Sequence, residues 1–268
     1  MHALVVLAAA WLVLMTPAQA QPSEVLLHAA GSLRGALTNV SQAFEATSAA
    51  RVQAKYGPSG LLRDEIAKGA KAEVFASANM AHPQSLADAR KSGPVVLFAR
   101  NRLCALVRSG LPVATETLLE RMLQPEIKLG TSTPKADPSG DYAFEVFVRA
   151  EALRIGARAA LEQKALQLTG GPNSPTGPPG RSVYGALVAK GDADIFLTYC
   201  TGAIVAQAEN PGQQIVALPD TLPVGADYGL TVLLDASAMA HRFALFVMSG
   251  QGQAILAKHG FSAPALTQ

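Results

Sequence analysis

The sequence predicts an α/β fold of two similarly built lobes, with mostly parallel sheets flanked by helices on both faces. Three observations predict it. Short apolar runs alternate with amphipathic segments along the chain, as strands and helices do in such folds. Small-residue turns bearing Gly and Ser recur between a strand and the helix that follows. Two segments also echo each other. Lys68-Gly69-Ala70-Lys71-Ala72-Glu73-Val74-Phe75 ends a helix and enters a strand, and Lys190-Gly191-Asp192-Ala193-Asp194-Ile195-Phe196 does the same one residue shorter.

The chain has 268 residues, 49% hydrophobic and 16% charged, which suffices for a substantial core in one domain or two lobes. Formal net charge is +2 with no long run of either sign, so the basic stripe of a nucleic-acid-binding protein is missing. Residues 3–15 are apolar but too short for a membrane helix of about 20 residues. Thr16-Pro17 and the small-x-small signal Ala18-Gln19-Ala20 follow. Residues 1–20 therefore read as a secretory signal peptide cut before Gln21, with an apolar N-terminal anchor as the alternative. The n-region, Met1-His2, has no Lys or Arg, a departure that an upstream start codon would explain. No Cys follows the cleavage site, so no lipid anchor is expected. The two cysteines, Cys104 and Cys200, form a disulfide or are two buried free thiols; sequence does not supply the Cα separation that decides. No Cys/His cluster has zinc spacing.

The first strand is predicted at residues 24–28 and leads into Ala29-Ala30-Gly31-Ser32-Leu33. Leu33, Leu37, Val40 and Phe44 then share one face of a helix. Ser32 falls where an N-cap belongs, and Gly31 lets another group approach closely. A second strand at 52–56 and the turn Gly57-Pro58-Ser59-Gly60 precede a helix that stops at Lys68-Gly69, with Ser59 as the second N-cap. Residues 72–77 form a buried strand, and helical segments follow around 83–91. A strand at 102–107 and a helix at 116–122 come next, then a strand at 127–131. Pro138-Ser139-Gly140 opens a helix carrying Tyr142, Ala143, Val146 and Phe147, with Ser139 as a third hydroxyl at a helix start. A further strand is expected at 165–168. The Gly/Pro-rich loop 169–181 ends in Arg181, and its length marks it as functional or mobile. A helix over 182–190 and a strand at 194–198 ending in Tyr199 follow. The tail holds a strand at 228–234, two short helices, and Gly260 in the C′ position.

Strand, small-residue turn and helix N-terminus together offer unpaired N–H groups, a hydroxyl and the positive end of a helix dipole. Ser32, Ser59, Ser139 and Arg181 all fall beyond the carboxyl ends of strands, where ligands bind in such folds. The recurrence points to a small anion held by neutral donors; a single serine there would be an ordinary cap. Tyr199 is either plain core or a phenol donating to that anion. Asp141 suits the helix dipole but would repel an anion if it faced the cleft. The Arg181 side chain either adds charge or lies on the loop surface. A secreted hydrolase is the competing class, with one of these serines as nucleophile beside His28, His82, His241 or His259. None of the serines lies in a G-x-S-x-G elbow, and no Walker loop or H-E-x-x-H motif occurs, so no enzyme is expected.

The matching landmarks are Ala29-Ala30-Gly31-Ser32-Leu33, Ser59 before its helix, and residues 69–78. Further ones are Asp137-Pro138-Ser139-Gly140-Asp141-Tyr142-Ala143, residues 191–199, and the ending Gly252-Gln253-Ala254-Ile255-Leu256-Ala257-Lys258-His259-Gly260-Phe261. In these the chain resembles the periplasmic molybdate-binding proteins, the solute receptors of molybdate ABC importers. The resemblance implies a two-lobed type II periplasmic-binding-protein fold with a ligand cleft between the lobes. It places lobe I at 21–103 plus 229–268 and lobe II at 104–228, joined by crossing strands near 102–107 and 228–234. It implies ligand-binding by Ser32 and Ser59 from lobe I, and by the backbone at Ser139, the backbone at Arg181 and the Tyr199 hydroxyl from lobe II. Two features depart from the family pattern: the Gly/Pro loop is longer, and Arg181 replaces a small apolar residue. An arginine side chain entering the site would favour another oxyanion or a small organic anion.

The expected function is that of a non-catalytic, monomeric periplasmic receptor. It closes on molybdate or tungstate without a cofactor and docks on an ABC transporter permease.

Overall fold

The computed structural model describes residues 23–264, apart from 176, 178 and 179; the signal-peptide reading lies outside the described residues. In chain order the elements begin with β1 (Ser23–Ala30), a 3-10 turn at Gly31–Leu33, α1 (Arg34–Glu45), β2 (Ala50–Gly57), α2 (Ser59–Ala67), β3 (Val74–Ser77) and α3 (Ala81–Asp88). The long strand β4 (Val96–Val107) follows, then α4 (Leu118–Leu123), β5 (Leu129–Ser132), α5 (Pro138–Leu153) and α6 (Ala157–Lys164). The rest is β6 (Leu166–Thr169), α7 (Val183–Lys190), β7 (Ile195–Tyr199), α8 (Cys200–Glu209), β8 (Gln214–Ala217), β9 (Gly225–Val232), α9 (Ala238–Met248) and α10 (Gly250–Lys258).

The strands run in the order β2-β1-β3-β9-β4-β7-β5-β6, with β8 also on β4. β1 is parallel to β2 and β3, and β5 is parallel to β6 and β7. The strands that join the two groups, β4 and β9, pair antiparallel. β4 serves both groups: residues 96–102 pair with β9, and residues 103–107 pair with β7 and β8. The chain returns where the Leu103 N–H meets the Val224 carbonyl, just before β9 begins. The strand pairing therefore changes group at 102–103 and 224–225.

Central strands β3 and β7 are buried at every residue, as strands covered on both faces should be. α1 buries Leu37, Val40 and Phe44 against the first group, and the Phe44 ring meets Phe243 of α9 edge-on at 5.3 Å. α5 buries Val146 and Phe147 against the second. Cys104 on β4 and Cys200, the first residue of α8, form a disulfide with a Cα separation of 4.9 Å. It ties the end of β7, and so Tyr199, to the strand shared by both groups.

Three serines were expected at or near N-caps, and the caps lie elsewhere. Ser32 lies inside the 3-10 turn, which Ala30 precedes. Pro58 caps α2, making Ser59 its first residue. Asp137 caps α5, leaving Ser139 at the second position. One or two residues of offset spare all three hydroxyls the capping bond.

Candidate functional site

On the β1/β3 side, the serine oxygens accept hydrogen bonds from the protein. The Ala78 N–H donates to Ser59 Oγ at 3.1 Å. Ser32 Oγ lies 3.0 Å from the phenol oxygen of Tyr228 on β9. Asn101 of β4 donates from Nδ2 to that phenol oxygen at 3.4 Å and to Thr201 Oγ1 at 2.9 Å. Its Oδ1 accepts the Arg102 N–H, which fixes the amide orientation. Tyr228 is fully buried, and burial holds its phenol well above the ordinary range. Its proton needs an acceptor, and Ser32 Oγ is within reach. With Asn101 donating to Tyr228, donation from Tyr228 onward to Ser32 leaves the Ser32 proton for a ligand, although between these two hydroxyls either can be the donor. The Ser59 proton is free in the same way.

The opposite side is built differently. Ser139 Oγ and Tyr199 Oη are buried and have no hydrogen-bond partner among the described residues. Burial pushes the Tyr199 phenol far up, so it remains a donor at any physiological pH. The Ser139 N–H, which the family resemblance gives to the ligand, instead donates to Asp137 Oδ1 at 3.1 Å. Burial raises the Asp137 carboxyl to about 6, against hydrogen bonds from Ser139 and Ser132 that favour its charged form. Gly170 has a positive φ of 76°, and a Cβ there would lie 2.6 Å from Asp137 Oδ2. The Asp141 carboxylate accepts the Lys135 N–H at 2.7 Å.

Two sets of contacts bring the sides together. The Gly60 N–H at the start of α2 donates to the Ala136 carbonyl, just before α5, at 2.9 Å. A Cβ on Gly60 would run into the Lys135 carbonyl and lie 2.8 Å from that of Ala136, so only glycine permits this approach. The rings of Tyr228, Tyr199 and Tyr142 follow one another at centroid distances of 5.6 and 6.3 Å. These contacts bring the segments carrying Ser32, Ser59, Ser139 and Tyr199 to the junction of the two strand groups.

The Arg181 side chain stands apart. Its Nε lies 3.5 Å from Glu209, whose carboxylate also accepts the Ser182 N–H, and the side chain is 57% exposed. Glu209 ends α8, about 14 Å along the helix from Cys200 at 1.5 Å per residue. Arg181 thus contributes no charge beside Tyr199. A cavity of about 420 Å³ lies near the Gly/Pro loop, between Thr133, Gln167, Asn173 and Asp192. Among the described residues no serine hydroxyl is bonded to a histidine ring, the Ser85 hydroxyl meeting His82 only at its carbonyl and the His241 ring meeting Ser237 only at its carbonyl, and no cluster of His, Cys, Asp or Glu could hold a metal ion. Sequence reading missed Asn101, Tyr228 and Gly60, which act through contacts between distant segments. Asp137 stood in the motif but carried no assigned role.

The family model of the bacterial extracellular solute-binding proteins matches residues 25–262. The chain belongs to this family. An uncharacterized protein of Pasteurella multocida is 37% identical over 203 residues, 75% of this chain and 84% of its own length. The molybdate-binding protein ModA of Mycobacterium bovis is 26% identical over 244 residues, 90% of this chain and 85% of its own. Among solved structures, the periplasmic molybdate-binding protein of Azotobacter vinelandii superposes with a TM-score of 0.72 at 20% identity, covering 91% of this chain and all of that one. The sulfate-binding protein SubI of Mycobacterium tuberculosis gives 0.74 at 19% identity, covering 90% and 87%. The fold is thus that of the two-lobed periplasmic binding proteins. Lobe names follow from here: β1–β3 and β9 belong to lobe I, and β5–β7 to lobe II.

Proposed function

We propose that this solute-binding protein captures a tetrahedral oxyanion of the molybdate or tungstate type in the periplasm and delivers it, as a monomer, to the permease of an ABC importer. The observation that carries the reading is the set of four hydroxyls near the junction of the two strand groups, two hydrogen-bonded to protein groups and two buried without partners among the described residues. Neutral hydroxyl donors can hold a dianion without a matching cation. Ser32 and Ser59 would donate from lobe I, and Ser139 and Tyr199 from lobe II. The anion then favours the closed form, because only closure brings both sets to it. The Gly60–Ala136 hydrogen bond adds to closure directly. Selectivity would come from cavity size, since sulfate offers the same acceptors. The Mycobacterium ModA likeness supports molybdate over other solutes. A second reading, another oxyanion or a small organic anion, is favoured by one feature: the Asp137 carboxyl beside Ser139.

Isothermal titration with molybdate, tungstate, sulfate and phosphate tests the reading. One-to-one binding of molybdate and tungstate, with no heat from sulfate, is expected. Heat from sulfate or phosphate alone would move the protein to the second reading. Silence from all four would overturn the oxyanion assignment.

A further inference from the structure

Asp137 is an acidic side chain directly beside Ser139, one of the hydroxyl residues assigned to the site above. Its Oδ1 holds the Ser139 N–H, and its neighbour Ser139 Oγ is an unpartnered hydroxyl. Gly170 closes over its other oxygen. The Ser132 hydroxyl on β5, 2.8 Å from Thr169 Oγ1, also favours its charged form. The titratable groups facing it are the phenols of Tyr184 on α7 and Tyr199 on β7, both held protonated by burial, and the carboxylate of Asp141 on its own helix. Asp141 is a further negative charge, and the Arg181 cation is turned to Glu209 instead.

A carboxylate in that position opposes a dianion donated to by Ser139 and Tyr199. We infer that Asp137 couples anion capture to proton uptake, so that a dianion enters the cleft together with one proton held at the Asp137 carboxyl. This rests on the oxyanion reading above and adds a regulation to it. The proton comes from solvent and leaves with the anion on opening; no bond in the ligand is made or broken. Free Asp137 titrates near 6, and a neighbouring dianion raises it further. Below the free value the carboxyl is already neutral and affinity is flat. Between the free and bound values affinity falls as pH rises, by about tenfold per unit. The site would therefore load best in acidic surroundings and release more readily as pH rises.

Isothermal titration of the purified protein with tungstate at about pH 7.5, in buffers of contrasting ionisation enthalpy, reads the proton directly. Uptake of close to one proton per anion is expected, falling toward zero near pH 5. Asp137→Asn keeps an N-cap acceptor and should lose both uptake and pH slope, binding tenfold or more tighter than wild type at pH 7.5. Asp141→Asn should keep both. Binding with wild-type uptake near zero overturns the inference and leaves the oxyanion reading intact. So does a folded Asp137→Asn protein that keeps the slope or binds more weakly at pH 7.5. Absence of heat from every oxyanion at every pH overturns the oxyanion reading itself, and this inference with it. Wild-type uptake needs no variant, so a poorly folding Asp137→Asn protein leaves the test standing.

Discussion

On the lobe I side, each serine oxygen is within hydrogen-bond distance of a protein group, whereas the Ser139 and Tyr199 hydroxyls on the lobe II side have no partner among the described residues. The lobe I protons are aimed before any ligand arrives. The lobe II hydroxyls carry an unrelieved desolvation cost, about 1–3 kcal/mol for each buried unsatisfied group, and an acid sits among them. The difference separates two tasks. Under the proposed function, lobe I would supply a preset half-site, and lobe II would hold the groups whose energy improves only when an anion and closure come together.

The largest test of that contrast is the disulfide. It holds Tyr199 to β4 and has no counterpart on the lobe I wall. Cys104→Ala with Cys200→Ala should lower unfolding stability by about 2–4 kcal/mol, read by chemical denaturation, and should weaken tungstate binding as Tyr199 loses its anchor. Gly60→Ala comes next. Its Cβ meets backbone carbonyls of lobe II, so closure should cost about 1–3 kcal/mol and affinity should drop 10- to 100-fold, with the melting temperature of the unliganded protein unchanged or higher.

Tyr199→Phe and Ser32→Ala sharpen the comparison because both should weaken binding, by about 1.5–3 kcal/mol for a hydrogen bond to a charged ligand, yet move stability in opposite directions. Tyr199→Phe removes an unsatisfied hydroxyl and should leave the free protein as stable or more so. Ser32→Ala strands the Tyr228 proton and should cost about 1 kcal/mol. Equal stability changes would erase the distinction between the walls. The smallest effect belongs to Arg181→Ala. It breaks an exposed ion pair of about 0–1 kcal/mol and should change anion affinity less than twofold.

Much of the fold was legible because its periodicity is local. β1, α1, α2, β7 and α10 were all expected from apolar spacing and turn residues. The first half of β4 was not, because Arg100, Asn101 and Arg102 interrupt its apolar run and its partner β9 lies over 120 residues away. α6 was missed because it buries only Ala157 and Leu161, too little for an amphipathic signal. α8 was missed because it starts directly at the end of β7 with no turn residue between them. The loops of the site were legible from Gly and Ser at strand ends. The cap register was not, since a shift of one or two residues at a helix start leaves the sequence pattern unchanged. That shift turns Ser32, Ser59 and Ser139 from caps into free donors. The Asn101–Tyr228–Ser32 relay is purely tertiary, so no local pattern announces it.

The most direct measurement of the central claim is the position of tungsten, found by anomalous scattering in crystals grown with tungstate. The account predicts one tetrahedral anion within hydrogen-bond distance of the Ser32, Ser59, Ser139 and Tyr199 hydroxyls. Tungsten in the cavity beside Thr133 and the Gly/Pro loop, or an anion touching lobe I alone, would contradict it.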